Sequence, residues 1–148
     1  MQGVVAKDLY DRDFFEWTRC NAALLRTGRF QEADLQHIAE EIEDLGKRDR
    51  RELFNRLKVL LVHLLKCQTQ PEKRSPSWED TIDTQRDEIA LVLQDAPSLK
   101  NFALAILPEA YPKAVRKAAR ETGLSTGAFP ESCPYTLAQI LDSEFFPE

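Results

Sequence analysis

Residues 34–68 read DLQHIAEEIEDLGKRDRRELFNRLKVLLVHLLKCQ, and this stretch decides the fold. It contains no proline, and its apolar side chains recur every three or four residues. They are first Leu35, Ile38, Ile42 and Leu45, and then the leucine-rich run from Leu53 to Leu65. That spacing predicts amphipathic helix with a broad apolar face.

The centre of this stretch allows two interpretations. Gly46 is suited to end a helix, and the residues after it have the spacing of a capping box, so a helical hairpin is an alternative. Against the hairpin, one interior glycine costs a helix only about 1 kcal/mol relative to alanine. Opposite charges also lie four residues apart, as in Glu43 and Lys47. The pattern favours one long helix from Asp34 to Gln68.

The composition agrees with a helical protein. The 148 residues are 43% hydrophobic and 30% charged, which is typical of a globular rather than a disordered chain. Only five residues are glycine, and the balance of the others favours helix over sheet. We therefore predict a single helical domain over residues 1–148.

The remaining helices are indicated by caps, apolar spacing and prolines. A first helix is predicted from about Asp11 to Arg26, capped by Asp11 or Asp13. The later ones run from Ser75 or Ser77 to Pro97, from Ser98 to Pro108, and from about Tyr111 to Thr122. A Pro-rich C-terminal segment then carries aromatic residues across the bundle, namely Phe129, Phe145 and Phe146. The predicted fold is all-α, a mainly antiparallel bundle. Its core should contain Trp17, Leu24, Ile38, Ile42, Leu57, Leu60, Leu64, Ile82 and Ile89.

Charge and cysteine content narrow the function classes. The formal net charge of −5 gives no long-range attraction to nucleic acid or anionic lipid. The apolar run from Val59 to Leu65 is far too short to span a bilayer, and residues 1–13 do not resemble a secretory signal. Three cysteines without a C-x-x-C pair argue against disulfides or a zinc ribbon. We expect a cytoplasmic protein with no membrane partner.

Several short motifs occur in order along the chain. They are Glu40-Glu41-Ile42-Glu43-Asp44-Leu45-Gly46, His63-Leu64-Leu65-Lys66, Trp78 with Arg86, Pro97-Ser98-Leu99, Tyr111-Pro112-x-Ala114 and Cys133-Pro134-Tyr135-Thr136. With these motifs the chain resembles a bacterial family known as domain of unknown function twenty-nine, over about Tyr10 to Pro147. The resemblance implies an α-helical bacterial protein without an established activity, and it assigns no catalytic residues.

Metal-binding residue types occur at His37, Glu40, Glu41 and His63. Their spacing is the reverse of the Glu-x-x-His pattern of carboxylate-rich bundles, and only one such unit is present. In one continuous helix His37 and His63 stand roughly 39 Å apart, so they meet only in a hairpin or across a dimer. An enzyme or metal-binding protein with a site around Glu41 and His63 is thus an alternative function. We predict no cofactor and no stoichiometric metal.

The sequence contains two further candidate sites. His63 and Cys67 lie four residues apart on one helix face, which brings a thiol near a base, although no orienting third residue is identifiable. With Glu41, and with Arg86 from the quoted motifs, they are the candidate functional residues. Arg48, Arg50 and Arg51 form a basic cluster, and a second one contains Lys113, Arg116, Lys117 and Arg120. Weak nucleic-acid binding through the first cluster is an alternative, but the acidic balance predicts no appreciable affinity for double-stranded DNA.

The leading functional hypothesis is a protein-interaction or regulatory module. The apolar arc of the leucine-rich run, from Leu53 to Leu65, is wider than one neighbouring helix requires, so part of it is available for a partner in a dimer through the Asp34–Gln68 segment. We expect a symmetric homodimer or another protein partner. In an antiparallel pairing, the acidic run Glu40–Asp44 faces the basic run Lys47–Arg51 and sets the register. The alternative is that the C-terminal aromatic residues cover the whole arc within one chain.

Overall fold

A computed structural model describes the backbone of residues 2–148 and the side chains of residues 7–148. Helices account for 77% of the chain, and the described residues contain no strand, which confirms the all-α prediction. The α-helices are α1 (Gln2–Arg12), α2 (Phe14–Arg26), α3 (Leu35–Thr69), α4 (Pro76–Asp95), α5 (Leu99–Thr122) and α6 (Leu137–Leu141). The chain divides into two compact units, residues 1–48 and 49–148. That the whole chain acts as one domain remains a prediction.

Helix α3 runs without interruption for 35 residues, so the prediction of one long helix is confirmed and the hairpin is wrong. Among the described residues, the glycines with positive φ are Gly28 and Gly123, so Gly46 keeps a helical backbone. The predicted pair of Glu43 and Lys47 is not among the ion pairs of the described residues. Both side chains are exposed to solvent, where such a pair contributes little.

In the first unit, α2 begins at a side-chain cap and ends at a glycine. The Asp13 carboxylate accepts a 3.1 Å hydrogen bond from the backbone N–H of Glu16, which stabilises the free end of the helix. Past the last turn, Gly28 takes φ 74°, a conformation that favours glycine. The separate helix α1, which ends one residue before Asp13, was not predicted; the sequence interpretation began the first helix near Asp11.

The core of the first unit is small. Leu24 and Ala33 are buried, and Cys20 and Ile38 pack against them in part. The prediction that Ile42 belongs to the core is wrong, because 63% of this residue is exposed. The side of α3 that bonds to α1 and α2 instead carries Asp34, His37 and Glu41, and Ile42 points about 100° away from Glu41.

In the second unit, the C-terminal half of α3 packs with α4 and α5. The Arg56 guanidinium lies 3.8 Å from Glu88, and the Lys66 ammonium lies 4.7 Å from the Trp78 ring. Since later residues of α3 meet earlier residues of α4, these two helices are antiparallel. Contacts of Arg50 with Phe102 and of Lys66 with Glu121 order α5 parallel to α3, giving an up-down-up arrangement. Its core includes Leu53, Leu57, Leu60, Leu64, Ile82 and Ile89, all 0% exposed.

Helix α5 continues through two prolines, Pro108 and Pro112, whereas the sequence interpretation ended one helix at Pro108 and began another around Tyr111. A proline has no N–H, so the carbonyls of Leu104 and Pro108 lose their helical donors, at about 3 kcal/mol per interior proline. Leu104 and both prolines are exposed, which lets water bond the freed carbonyls. The opposite face is buried in the core and holds the helix together, with Ala103, Ile106, Ala110, Ala114 and Ala118.

The C-terminal segment lies on the second unit, as predicted for its aromatic residues. Phe129, Tyr135 and Ile140 are buried, and Phe145 and Phe146 are partly buried against the core. Within this segment α6 begins at a capping box formed by Thr136 and Gln139. The segment is therefore part of the hydrophobic core of this unit. The leucines of the run from Leu53 to Leu65 lie in the same core and are all 0% exposed. The expectation that these leucines leave a surface for a partner is therefore wrong, and they are covered within one chain, as in the alternative.

Candidate functional site

An exposed apolar stripe runs along the N-terminal half of α3. It consists of Leu35, Ile38, Ile42 and Leu45, which we call the α3 seam, and the spacing of three, four and three residues keeps them on one face. Leu35 is 51% exposed, Ile42 63% and Leu45 57%, while Ile38 is partly buried against Leu24. Three large side chains adjacent along one face are more than the scattered apolar residues of an ordinary surface.

Charged side chains follow the seam in a symmetric order. Glu43 and Asp44 precede Leu45, and Lys47 and Arg48 follow Gly46. All four charged residues are exposed, and none is in an ion pair with another described residue. A Cβ placed on Gly46 would meet no atom within 4 Å. Unpaired charges of both signs thus surround the C-terminal end of the seam, where Gly46 provides an open backbone position.

A buried hydrogen-bond network fixes the start of α3 in the first unit. The Trp17 indole N–H donates to the Asp34 carboxylate at 3.0 Å, and His37 Nδ1 donates to the same oxygen at 2.7 Å. The Asn21 side-chain oxygen accepts a 2.8 Å bond from the Asp34 backbone N–H, and its amide donates to the Trp17 carbonyl at 2.9 Å. These bonds hold the rotation of α3 about its axis and thereby keep the seam on the solvent side.

One candidate site residue, Glu41, joins this network. The Tyr10 hydroxyl donates a 2.8 Å hydrogen bond to Glu41, and the Tyr10 ring stacks on the His37 ring at 3.8 Å. The bond to Glu41 raises the pKa of Tyr10 to about 12, so the phenol stays protonated and remains the donor. Glu41 therefore connects α1 to α3.

Asp34 and His37 each stabilise the charged form of the other. Burial opposes ionisation of Asp34, but hydrogen bonds from His37 and Trp17 outweigh it, and the pKa of Asp34 lies below its ordinary value. The hydrogen bond to Asp34 also raises the pKa of His37. At mildly acidic pH the two groups form an ion pair across the first turn of α3.

In the second unit, His63 and Cys67 lie on α3 in different protonation environments. His63 Nδ1 is 3.0 Å from the Val59 carbonyl, which only accepts, so Nδ1 carries the hydrogen. Burial lowers the pKa of His63, although the bond to Val59 opposes this, and the imidazole is neutral at physiological pH. Burial also raises the pKa of the Cys67 thiol, which is 1% exposed. A buried protonated thiol does not favour the nucleophilic chemistry considered for this pair.

Arg86 is buried to all but 4% and bonds only backbone carbonyls. Its Nε donates to the Ile140 carbonyl and its Nη2 to the Phe145 carbonyl, each at 2.8 Å. Its Nη1 is buried without a partner among the described residues. The candidate residue Arg86 thus ties the C-terminal segment to α4, a contact across more than fifty residues that spacing alone does not indicate.

The two basic clusters remain on exposed helix faces. Arg48, Arg50 and Arg51 are exposed, and the Arg50 guanidinium lies 4.3 Å from the Phe102 ring centroid. In the second cluster Lys113 lies 5.0 Å from the Phe54 ring, and the others are exposed. Nothing in this geometry distinguishes a phosphate-binding face from a solvated one.

The sequence interpretation missed the partners of the first-unit network, Tyr10, Trp17 and Asn21. One signal in the sequence could have indicated them. Asp34 is a helix-capping type of residue directly before the long helix, and the first predicted helix is rich in aromatic residues that could bond to it. Among residues 2–148, no group of three or more His, Cys, Asp or Glu residues is arranged to hold a metal ion. Over the same residues, no helix is both long and apolar enough to cross a membrane.

Comparison with known proteins identifies the family of the chain. Neither the curated proteins nor the solved structures include a match to this chain. A family model described as Domain of unknown function DUF29 matches residues 9–146, which is nearly the whole chain and agrees with the resemblance in its ordered motifs. The chain therefore belongs to the family Domain of unknown function DUF29.

Proposed function

We propose that this chain is a protein-interaction module that pairs with a second copy of itself through the α3 seam. The observation that carries the proposal is the exposure of Leu35, Ile42 and Leu45, between 51% and 63%, on one face of a long helix. Burying a leucine or isoleucine fully stabilises a complex by about 1.5–3 kcal/mol. The seam is therefore a source of association free energy that the single chain does not use.

The spacing of the seam supports a helix as the partner. Apolar residues separated alternately by three and four positions are the pattern with which two helices interlock in a coiled coil. Gly46 adds a position without a side chain at the end of the seam, where a second helix can approach closely. The seam extends over only two heptads, so we expect weak association. Its dissociation constant should lie in the micromolar range, which corresponds to a binding free energy on the order of −8 kcal/mol.

The seam can be buried against itself in antiparallel orientation. A two-fold axis near the middle of the seam sets Leu35 opposite the partner's Leu45 and Ile38 opposite the partner's Ile42. The charged residues beside the end of the seam lie on other faces of the helix, since at 100° per residue they point about 100–160° away from the centre of the seam. We therefore propose a register that is set by the apolar seam and not by these charges.

Sedimentation velocity over a concentration series tests the proposal. We expect the wild type to change from a 17.0 kDa species to one of twice that mass as concentration rises. Ile42→Glu and Leu45→Glu should remain monomeric with an unchanged helical circular dichroism spectrum. The matched control is Leu91→Glu, because Leu91 is 53% exposed on α4 and lies outside the seam. A wild type that remains a monomer into the hundreds of micromolar, or dimers unaffected by both seam variants, would contradict the proposal.

Charge reversal tests the register separately. Glu43→Lys and Asp44→Lys change side chains that point away from the seam, so the double variant should dimerise like the wild type. A dimer that the double variant weakens, and that adding Lys47→Glu and Arg48→Glu restores, would instead indicate an antiparallel register centred between Leu45 and Gly46 and would contradict the seam register.

A further inference from the structure

Two adjacent clefts lie between α5 and the segment 126–135 in the second unit. The smaller has a volume of about 340 Å³, the larger about 540 Å³, and both are lined by Tyr111, Pro112 and Glu131. We call the smaller one, which also includes Pro108 and Tyr135, the proline cleft. It lies outside the α3 seam and plays no part in the proposed dimer.

The floor of the proline cleft is held in place by side-chain hydrogen bonds. Tyr111 is 2% exposed, and its hydroxyl donates a 2.7 Å bond to the Pro130 carbonyl. Tyr135 is 6% exposed, and its hydroxyl donates to the side chain of Gln68. The aromatic floor is thus formed before any ligand arrives, which reduces the entropy that binding must offset.

The prolines give this cleft a free backbone acceptor. The residue whose N–H would bond the Pro108 carbonyl within the helix is Pro112, which has no N–H. Pro108 and Pro112 both line the cleft and are exposed, so the freed carbonyl belongs to a residue of its wall. The fold does not need a proline at this exposed position, because a residue with an N–H would complete the helical bond.

The charge of the cleft selects a cation. Glu131 is exposed at the wall and is in no ion pair with another described residue. No lysine or arginine lines the proline cleft, whereas Arg116 lines the larger cleft, which shares Glu131. A carboxylate, a free carbonyl and aromatic faces are all suited to a cationic donor group, and the proline rings suit an aliphatic stem.

We infer that the proline cleft binds an arginine side chain presented by an extended peptide. The guanidinium has several donors in one plane, so it can reach both the Glu131 carboxylate and the Pro108 carbonyl, whereas a lysine ammonium is a compact point charge. The larger cleft shares a wall with the proline cleft and gives room for a neighbouring residue of the same peptide.

Fluorescence anisotropy with a labelled pentapeptide, Ala-Ala-Arg-Ala-Ala, tests the inference. The comparison peptide carries citrulline in place of arginine, which keeps the shape and removes the charge. We expect saturable binding of the arginine peptide and about tenfold weaker binding of the citrulline peptide, as for loss of a charge-assisted contact. Glu131→Gln should weaken the arginine peptide by a similar factor. Glu109→Gln, an exposed glutamate of α5 outside the cleft, should leave binding unchanged.

Pro112→Ala separates a ligand-binding role from a structural one. The alanine N–H restores the helical bond to the Pro108 carbonyl and removes the free acceptor, so the melting temperature should rise while peptide binding weakens. A purely structural proline would change the melting temperature alone. No saturable binding of the arginine peptide at millimolar concentration, or equal binding of both peptides, overturns the inference.

Discussion

The indole nitrogen of Trp17 lies 3.0 Å from a carboxylate oxygen of Asp34, and each residue is only 4% exposed. Asp34 directly precedes α3, while Trp17 lies in the first turn of α2, so this bond fixes the beginning of the long helix against its neighbour. Because the same carboxylate also accepts from His37, one side chain holds two partners. The position of the seam in the first unit therefore depends on a buried charge.

Removing this carboxylate should destabilise the protein. Asp34→Ala leaves the Trp17 N–H buried without an acceptor, and we expect the free energy of unfolding to fall by about 1–3 kcal/mol. Urea denaturation followed by circular dichroism measures the change. The control is Asp87→Ala, an exposed aspartate of α4 without a hydrogen bond to a described side chain, which should stay within about 0.5 kcal/mol of the wild type. Equal stability of both variants would show that the Trp17–Asp34 bond contributes nothing.

The helical architecture was predictable because it rests on local spacing and on single residues with strong preferences. An uninterrupted run of helix formers predicted α3, and Asp13 correctly predicted the start of α2. Ser75 predicted the start of α4, where its side chain accepts a hydrogen bond from the backbone N–H of Trp78. Helix α5 was not predictable in the same way. The sequence shows the cost of Pro108 and Pro112, but the compensating burial of the opposite face depends on long-range packing.

The two histidines should give stability opposite dependences on pH. The pKa of His37 is raised by Asp34, so its contribution is complete below its unfolded value near 6.5 and is lost as pH rises through the folded pKa. The pKa of Asp34 is lowered, so its contribution is lost only as pH falls below its unfolded value of 3.8. His63 is the reverse of His37, because its pKa is lowered by burial and its contribution is lost as pH falls below 6.5.

Urea denaturation of His37→Gln and His63→Gln between about pH 5 and 8 checks these signs. The stability difference between the wild type and His37→Gln should shrink as pH rises through this range. The difference between the wild type and His63→Gln should shrink as pH falls. Each variant is the other's control, since both remove one imidazole. The same direction of change in both would contradict the assignment of at least one environment.

The candidate residues illustrate what spacing can and cannot indicate. The i,i+4 relation of His63 and Cys67 correctly places them on one helix, but the burial that protonates the thiol depends on the surrounding bundle. For Glu41 the decisive partner is Tyr10, which lies thirty-one residues earlier. Periodicity also predicted that the seam is apolar, but it did not reveal that Ile42 is 63% exposed.

Cys67 should be the least reactive thiol of the protein. It is 1% exposed and its pKa is raised, whereas Cys20 is only partly buried. Mass spectrometry after iodoacetamide treatment at neutral pH should find Cys20 modified first and Cys67 only after denaturation. Cys67→Ala identifies the signal of the buried thiol. Modification of native Cys67 before Cys20 would instead support an activated thiolate and revive the pairing with His63.

Arg86 should hold the C-terminal segment on the second unit. Arg86→Ala leaves the Ile140 and Phe145 carbonyls without their donors, and we expect a loss of about 3 kcal/mol in the free energy of unfolding. Arg86→Lys should recover only part of this, because one ammonium does not span both carbonyls. Arg74→Ala is the matched control, since this exposed guanidinium lies 3.8 Å from the Phe146 ring and should cost only about 0.5–1 kcal/mol. Chymotrypsin should cleave near Phe145 and Phe146 sooner in Arg86→Ala than in Arg74→Ala. Equal cleavage rates would mean that core packing alone retains the segment.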